Sequence, residues 1–347
     1  MNSEDLPFTE EALVNVLEKM LGAKILRSNF QSAQLQGGTV GDVRLVSGTA
    51  DGLDGVKLPY KIILKVQKKW NRPGDPDSWR REYDLYTSDF GTVFTDSPRW
   101  PKCYHAEMNT AENETQLWME YIDGVSGYDL TADMLERAAC EIGQLQGKLY
   151  AKQPDILRKL TNLSKVEDLK NYYLFCRLWN EVYDYIRSDS CEIPWHLREM
   201  LIEADDKADD IWNCIEKLPI VLCHRDFWVT NIFYRDDKLV FIDWDTAGWG
   251  YMGEDVKQLI SDEIDAAYMV EYYKICVPAY FKGFSEYADI SHISMDCIRE
   301  MILVCSGYSL VKAYIETKSP NAKTEDQRKS AIEKLQKIYE LRNLNYD

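Results

Sequence analysis

The chain has 347 residues, 45% of them hydrophobic and 29% charged, and carries a formal net charge of -17. This composition excludes an intrinsically disordered protein, and the length favours two lobes because single hydrophobic cores stop growing at about 250 to 300 residues. The negative charge argues against nucleic acid as a partner, since phosphate backbones demand concentrated Lys and Arg, and it favours a neutral or cationic partner.

Targeting and redox features indicate a cytoplasmic protein. The first residues, MNSEDLPFTEE, are acidic where a signal peptide is basic and then apolar, and no stretch approaches the roughly 18 apolar residues of a membrane span. The nine cysteines form no C-x-x-C pair and the four histidines lie scattered, so neither a disulfide framework nor a zinc site is indicated. We expect no membrane association, and any metal should be bound by oxygen ligands.

The first elements predicted are a helix and three strands. Over residues 9–21 the apolar residues recur on one helical face, and Thr9 is suited to cap the helix. Residues 32–50 and 58–70 then predict three successive strands separated by turns.

The first turn between strands is rich in glycine. Gly37, Gly38 and Gly41 lie there, and without a Cβ their backbone N–H groups can approach a phosphate. The spacing departs from G-x-G-x-x-G, and a simple hairpin turn would show the same residues.

Lys65 lies within the apolar strand KIILKVQ, where a charge is expensive unless it is paired. The loop NRPGDPD separates this strand from a second helix, which Asp77 or Ser78 is suited to cap and which contains Glu82. A Lys65–Glu82 ion pair would present the ammonium group to nucleotide phosphates. Strand alternation leaves a second interpretation open, in which Lys65 faces solvent on the same face as Lys61.

A strand predicted at residues 116–121 ends at an Asp-Gly pair, beyond which helical patterns dominate. We therefore place a lobe boundary here. The predicted N-lobe spans residues 1–122 and carries the sheet, and the predicted helical C-lobe spans residues 123–347.

The segment HRDFWVTNIFYRDDKLVFIDWD, residues 224–245, carries the residues that indicate chemistry. Asp226 precedes Asn231 by the D-x4-N spacing of the protein-kinase catalytic loop, in which the Asp is the base and the Asn binds Mg²⁺. A hairpin predicted after the loop turns at its Asp-Asp pair and places Asp243 at the end of its second strand. Two carboxylates and an amide suit Mg²⁺, which prefers hard oxygen ligands. Each part alone has an ordinary structural explanation, and only the ordered combination indicates phosphoryl transfer.

Together, Lys65, Glu82 and the segments MEYIDG, HRDFWVTN and FIDWDTAG resemble the aminoglycoside phosphotransferase and choline kinase family of small-molecule kinases. The resemblance implies an α+β, protein-kinase-like bilobal fold, with a small five-stranded antiparallel sheet in the N-lobe and a larger, mainly helical C-lobe. It implies ATP or GTP and Mg²⁺ as cofactors, and transfer of the γ-phosphate to a hydroxyl group.

The same resemblance implies roles for individual residues. The catalytic residues are Asp226, as the base, and the preceding His224 and Arg225. The metal ligands are Asn231 and Asp243. The residues expected to contact the nucleotide are Lys65, Glu82, Gly37, Gly38 and the backbone of Glu120 and Ile122.

The sequence also departs from the family pattern. Arg225 stands where the family often has Gly, and GWGYMGEDVKQL lacks the D-P-x-x-D-L pattern common after the metal-binding Asp, a position that Asp255 can fill. The form I-D-W-D, in place of D-F-G, and the absence of an A-P-E segment indicate the small-molecule branch over the protein kinases.

The acceptor is predicted to be a small cationic molecule with a hydroxyl group. Residues 1–120 hold 14 Lys+Arg and 18 Asp+Glu, net -4, which leaves -13 of the total -17 for the remainder. An acidic cleft would attract an aminoglycoside and link the enzyme to antibiotic resistance. The residues predicted to contact the acceptor are Asp245, Trp228, Glu254, Asp255 and Glu263.

Alternatives remain open for the acceptor and the class. Trp228, Trp244 and Trp249 would suit an aromatic cage for a quaternary ammonium such as choline, although core packing is the simpler explanation for Trp244. Amino alcohols, sugars and macrolides are further acceptors, and a nucleotide-binding pseudokinase is the non-enzymatic alternative. We expect a monomer or a homodimer.

Overall fold

The chain forms two compact units. The first unit comprises Met1–Gly124, Ile156–Asn162 and Val240–Asp245, and the second comprises Val125–Asp155, Leu163–Leu239 and Thr246–Asp347. Two short segments that the predicted boundary assigns to the C-lobe therefore belong to the first unit. The structure, a computed structural model, describes residues 6–35, 41–70, 72, 74–262, 264–317 and 322–344.

The first unit opens with the predicted amphipathic helix, α1 (Glu10–Leu21). Thr9 caps it as expected, since its hydroxyl accepts a hydrogen bond of 3.2 Å from the backbone N–H of Ala12. The helix ends at Gly22, whose φ of 66° is the left-handed conformation that glycine adopts without strain.

A five-stranded antiparallel sheet follows, in the order β1-β2-β3-β5-β4. Its strands are β1 (Ile25–Gln34), β2 (Asp42–Gly52), β3 (Lys57–Lys68), β4 (Cys103–Asn109) and β5 (Glu114–Glu120). In β3 the apolar side chains of Tyr60, Ile62 and Leu64 are buried with α1, and the intervening residues face the other way. The three strands predicted after the first helix are thus confirmed.

Between β3 and β4 lies the predicted second helix, α2 (Arg81–Tyr86), preceded by a 3-10 turn at Ser78–Arg80. The predicted cap at Asp77 or Ser78 is wrong. Asp77 has φ -101° and ψ 5° and its side chain makes no capping hydrogen bond, and Ser78 lies within the 3-10 turn, where its hydroxyl makes none either. Side-chain capping needs an extended residue at that position. The helix is instead secured by Arg81, whose buried guanidinium donates to Asp75 and to the backbone carbonyls of Asn162 and Asp245.

The rest of the chain is mainly helical. Its helices are α3 (Ala132–Lys152), α4 (Asp155–Lys159), α5 (Asp168–Leu178), α6 (Val182–Arg187), α7 (Trp195–Asp206), α8 (Ala208–Ile215), α9 (Glu254–Ser261), α10 (Met269–Ser285), α11 (Asp296–Met301), α12 (Gly307–Glu316) and α13 (Ala322–Arg342). Helices α3 and α10 pack against each other in the second unit and approach closely at Gly143, where a Cβ would lie 2.3 Å from the Tyr280 carbonyl oxygen.

Within the described residues, five short strands accompany these helices. They are β6 (Val125–Ser126), β7 (Ile220–Cys223), β8 (Ile232–Arg235), β9 (Lys238–Phe241) and β10 (Gly248–Tyr251). β7 pairs with β10, and β8 and β9 form the predicted hairpin, which turns at Asp236 and Asp237 with φ of 51° and 59°. The loop from residue 224 to 231 therefore lies between β7 and the hairpin. Among the described residues, no helix is long and apolar enough to cross a membrane.

Candidate active site

The predicted Lys65–Glu82 ion pair is present in the first unit. Lys65 Nζ on β3 lies 2.5 Å from Glu82 Oε2 on α2, and it also donates to the carboxylate of Asp243. Burial disfavours the ammonium charge, but the attraction of Asp243, Glu82 and Asp245 outweighs burial and holds the pKa of Lys65 well above its usual value. The second interpretation, a solvent-facing Lys65, is therefore wrong.

Asp243 is presented at the end of β9 by an unusual backbone conformation. Its φ is 65°, in the left-handed region, and 36% of its side chain is exposed. Behind it, Trp244 is buried against Phe90, Phe94 and Trp100, with ring centroids 5.3 to 5.9 Å apart. Core packing is thus the role of Trp244, and this aromatic core supports the exposed carboxylate.

The ammonium group of Lys65 attracts three carboxylates, those of Asp243, Glu82 and Asp245. Burial raises the pKa of Glu82 to about 7, and burial together with repulsion from Asp243 raises the pKa of Asp245. Within the described part of the chain, no three His, Cys, Asp or Glu side chains enclose a metal ion by themselves. An excess of carboxylate oxygens with an exposed Asp243 suits Mg²⁺, which takes one or two protein carboxylates and fills its shell with water and phosphate oxygens.

Backbone contacts with the nucleotide were also predicted for the end of β5 and for the glycine-rich turn. Glu120 ion-pairs with Arg99 through its side chain, and its backbone N–H donates to the Lys102 carbonyl at 2.9 Å. Ile122 follows the end of β5 and is mostly buried. The predicted contacts of Gly37 and Gly38 lie outside the described residues.

In the second unit, the two polar residues of the D-x4-N motif, Asp226 and Asn231, are hydrogen-bonded to each other. The Asn231 amide donates to Asp226 Oδ2 at 2.9 Å and to the Asp226 carbonyl at 2.8 Å. A 3-10 turn at Val229–Asn231 returns the chain for this contact. The side-chain oxygen of Asn231 is not used by the donated bonds, so it is available as a hard ligand for a metal.

His224 is fully buried beneath this loop. Its Nδ1 lies 3.3 Å from the backbone N–H of Asp226, and its carbonyl accepts a hydrogen bond of 2.9 Å from Thr246 Oγ1. The imidazole therefore orients the backbone at Asp226, and its burial places it away from a substrate.

Asp255 holds the loop of residues 224–231 and has no exposed surface that could contact an acceptor. It is fully buried, and its carboxylate accepts the backbone N–H groups of His224 at 2.9 Å and Arg225 at 2.8 Å, and the Gln146 amide at 2.8 Å. Burial raises its pKa to about 7. The predicted acceptor contact is corrected, because the carboxylate is fully buried and its partners His224, Arg225 and Gln146 all lie within the fold.

Two further acceptor predictions also change. Glu254 is buried, accepts the Tyr251 N–H at 2.6 Å and lies 3.3 Å from Arg225 Nε, so its charge is used within the fold. Glu263 lies outside the described residues. Trp228 is half-buried, and its role toward an acceptor stays a prediction.

Gln258 was missed by the sequence reasoning. Its amide donates to the Arg225 carbonyl at 2.9 Å and its Oε1 lies 3.3 Å from the backbone N–H of Phe227. Gln258 lies three residues after Asp255 on one face of α9, and this spacing places both residues beneath the same loop.

Comparisons with known proteins identify the family and the fold of this chain. A model of the phosphotransferase enzyme family (APH) matches residues 76–288, more than half of the chain. A comparison with curated proteins found no match.

Solved structures show the same fold at low sequence identity. Amicoumacin kinase hAmiN, in complex with AMP-PNP, Ca²⁺ and Ami, is 13% identical with a TM-score of 0.54, covering 94% of this chain and 96% of its own. Choline kinase from Cryptosporidium parvum Iowa II is 16% identical with a TM-score of 0.52 and 90% coverage of each chain. APH(2")-IIia, in complex with GDP and kanamycin, is 12% identical with a TM-score of 0.56, covering 97% and 100%.

These matches confirm the predicted protein-kinase-like fold, with an antiparallel sheet in the N-terminal part and a helical C-terminal part. They also confirm the resemblance stated from the sequence motifs. The chain belongs to the phosphotransferase enzyme family.

Proposed function

We propose that this protein transfers the γ-phosphate of ATP or GTP to a hydroxyl group of a small molecule, with Mg²⁺ as the metal. The observation that carries the proposal is the paired contact of the Asn231 amide with Asp226, in a chain that also holds Lys65 between Glu82 and Asp243. The chain has a candidate for each of the base, the amide ligand, the carboxylate ligand and the phosphate cation, and this full set supports an enzyme over the pseudokinase alternative.

Lys65 is the cation for the nucleotide phosphates. Its ion pair with Glu82 holds the ammonium group in one place, and the nucleotide's charge adds to the carboxylates that already keep its pKa high. Asp243 and Asn231 are the metal ligands in this assignment, and the bound Mg²⁺ would neutralise charge on the phosphate oxygens.

Asp226 is the general base for the acceptor hydroxyl. One of its carboxylate oxygens accepts the Asn231 amide, which fixes the rotation of the side chain. A base must lie within hydrogen-bond reach of the proton it removes, so this restraint prepares Asp226 to orient and deprotonate a hydroxyl group.

A cationic aminoglycoside is the acceptor class that we favour. The net charge of -17 supports it, and so do kinase-fold neighbours whose complexes contain kanamycin or Ami. In this proposal the enzyme confers antibiotic resistance and acts in the cytoplasm.

Choline or a related amino alcohol is the second candidate. Helix α5 exposes the rings of Tyr172 and Phe175, whose centroids lie 6.5 Å apart, and such rings can bind a quaternary ammonium through cation–π attraction. The choline kinase neighbour supports the same chemistry.

The test is nucleotide consumption with Mg-ATP and Mg-GTP against a panel of aminoglycosides, choline, ethanolamine, macrolides and sugars. Mass spectrometry should show a phosphorylated product for one class. Asp226→Asn is the matched inactive control. The proposed function would be contradicted if the intact protein bound nucleotide but formed no phosphorylated product with any compound of the panel.

A further inference from the structure

Arg225 connects the catalytic loop to two other elements of the second unit. We propose that its side chain is a positioning anchor that holds Asp226 in place, an inference that rests on the proposed phosphotransferase function. Arg225 touches no reacting atom in this proposal, and it acts through the loop that carries Asp226.

The backbone at Arg225 adopts a conformation that favours glycine. Its φ is 64°, in the left-handed region where a Cβ is strained. The conformation is held from both sides, because the N–H of Arg225 donates to Asp255 and its carbonyl accepts from Gln258. A glycine would occupy this position without strain, so the arginine side chain requires its own explanation.

That side chain is buried among oxygen atoms, with 9% of its surface exposed. Its Nη1 donates to Ser164 Oγ at 3.0 Å and to Asp168 Oδ2 at 3.3 Å, and its Nε lies 3.3 Å from Glu254 Oε2. Ser164 and Asp168 flank the start of α5, and Glu254 begins α9. One guanidinium therefore joins the catalytic loop to the starts of two helices.

The contacts close into a ring of hydrogen bonds. Ser164 Oγ, which accepts from Arg225, donates to the Thr246 carbonyl at 2.9 Å. Thr246 Oγ1 in turn donates to the carbonyl of His224, the residue before Arg225. Hydrogen bonds from a buried charged donor are stronger than neutral ones, so the ring restrains the loop next to the base.

This arrangement predicts an effect on turnover and little effect on nucleotide binding. Nucleotide contacts are assigned to Lys65 on the sheet of the first unit, whereas Arg225 directly precedes Asp226 and restrains the loop that carries it. A displacement of about 1 Å of a reacting group can lower the rate about 100-fold. Loss of the anchor should therefore lower kcat and leave the KM for Mg-nucleotide within about threefold.

Three substitutions separate the anchor from the backbone strain. Arg225→Met keeps the strained φ and removes the charge, Arg225→Gly removes both strain and side chain, and Arg225→Lys keeps a charged donor. Arg235→Met is the matched control, because Arg235 lies on β8 with 46% of its side chain exposed and only an ion pair to Asp236.

We expect kcat to fall roughly 10- to 100-fold in both Arg225→Met and Arg225→Gly, with partial recovery in Arg225→Lys and no change in Arg235→Met. Wild-type kcat in a folded Arg225→Met or Arg225→Gly variant would overturn the proposal. Equal rates for the Met and Lys variants would also overturn it, because a charged donor would then contribute nothing.

Hydrogen–deuterium exchange gives a readout that needs no turnover. Residues 164–168 and 224–228 should exchange faster in Arg225→Met than in wild type, and unchanged exchange in both segments contradicts the anchor. If the wild-type protein phosphorylates no acceptor, the proposed function is wrong. The exchange measurement still tests whether Arg225 anchors the loop, because it needs no turnover. If Arg225→Met does not fold, Asp168→Asn is the alternative variant, because Asp168 is the more exposed partner of the Arg225 guanidinium. This variant should lower kcat several-fold without changing the KM for nucleotide.

Discussion

The side-chain amide of Asn231 donates to Asp226 twice, at 2.9 Å to the carboxylate and at 2.8 Å to the backbone carbonyl. Four residues separate the two in sequence, and a single 3-10 turn brings them together. The amide thereby fixes the carboxylate that we assign as base.

Asp226→Asn should abolish turnover while the loop keeps its shape. The substitution removes the proton acceptor but preserves the size of the side chain, and general-base catalysis contributes roughly 100- to 10,000-fold. We expect kcat to fall by that factor, with the Kd for Mg-nucleotide, measured by calorimetry, changed less than about threefold. Substantial turnover in Asp226→Asn would remove Asp226 from the role of base.

Asp243→Asn should weaken nucleotide binding only when Mg²⁺ is present. The exposed carboxylate of Asp243 is the assigned metal ligand, and a neutral amide is a poorer ligand for a hard cation. We expect at least tenfold weaker binding of nucleotide with Mg²⁺ and a small change with EDTA. Asp236→Asn is the control, since the side chain of Asp236 is 83% exposed in the hairpin turn. Equal losses with and without Mg²⁺ would argue against metal ligation.

Lys65→Met should lower both stability and nucleotide affinity. The substitution leaves Glu82 and Asp243 without their shared cation, and breaking a buried ion pair destabilises a protein by about 3 kcal/mol. Urea unfolding and nucleotide titration measure the two effects. Lys61→Met is the matched control on the same strand, because Lys61 is exposed and lies over the Tyr121 ring. A similar stability for both variants would show that the ion pair contributes little.

Asp205→Asn should destabilise the second unit at neutral pH and less in acid. The Asp205 side chain is 5% exposed and accepts from Arg177 at 2.5 Å and Arg187 at 3.0 Å. Burial opposes its charge, but the hydrogen bonds and attraction of these arginines hold its pKa below the usual 3.8. A lowered folded pKa gives stability that is present above the unfolded pKa and is lost as pH falls through the folded value.

We therefore expect Asp205→Asn to lower the free energy of unfolding by about 3 kcal/mol at pH 7, with the difference shrinking below about pH 4. Urea unfolding across this pH range measures it. Asp206→Asn is the neighbouring control, since the Asp206 side chain is 69% exposed and lies 3.8 Å from Arg187. It should change stability by less than about 1 kcal/mol. A pH-independent difference for Asp205→Asn would show that its charge is not the source.

Much of the fold and part of the site follow from local patterns in the sequence. Helix α1 and its Thr9 cap were predictable because capping and periodicity act within a few residues. The Lys65–Glu82 pair was predictable because a charge in an apolar strand demands a partner. The predicted cap at Asp77 or Ser78 was wrong because the backbone at Asp77 is not extended, and α2 is held instead by bonds of Arg81 to Asn162 and Asp245, residues distant in sequence that no local pattern shows.

The sequence by itself determined the order of chemical groups in this protein: a lysine on a strand, a glutamate on the next helix, then Asp226, Asn231 and Asp243 at family spacing. Only the tertiary structure decided that Asp255 and Glu254 are buried supports of the loop of residues 224–231 and not acceptor contacts. It also decided that segment 240–245 packs within the first unit. Burial and pairing depend on which distant side chains meet, and a carboxylate in sequence looks the same whether it faces solvent or holds a backbone N–H group.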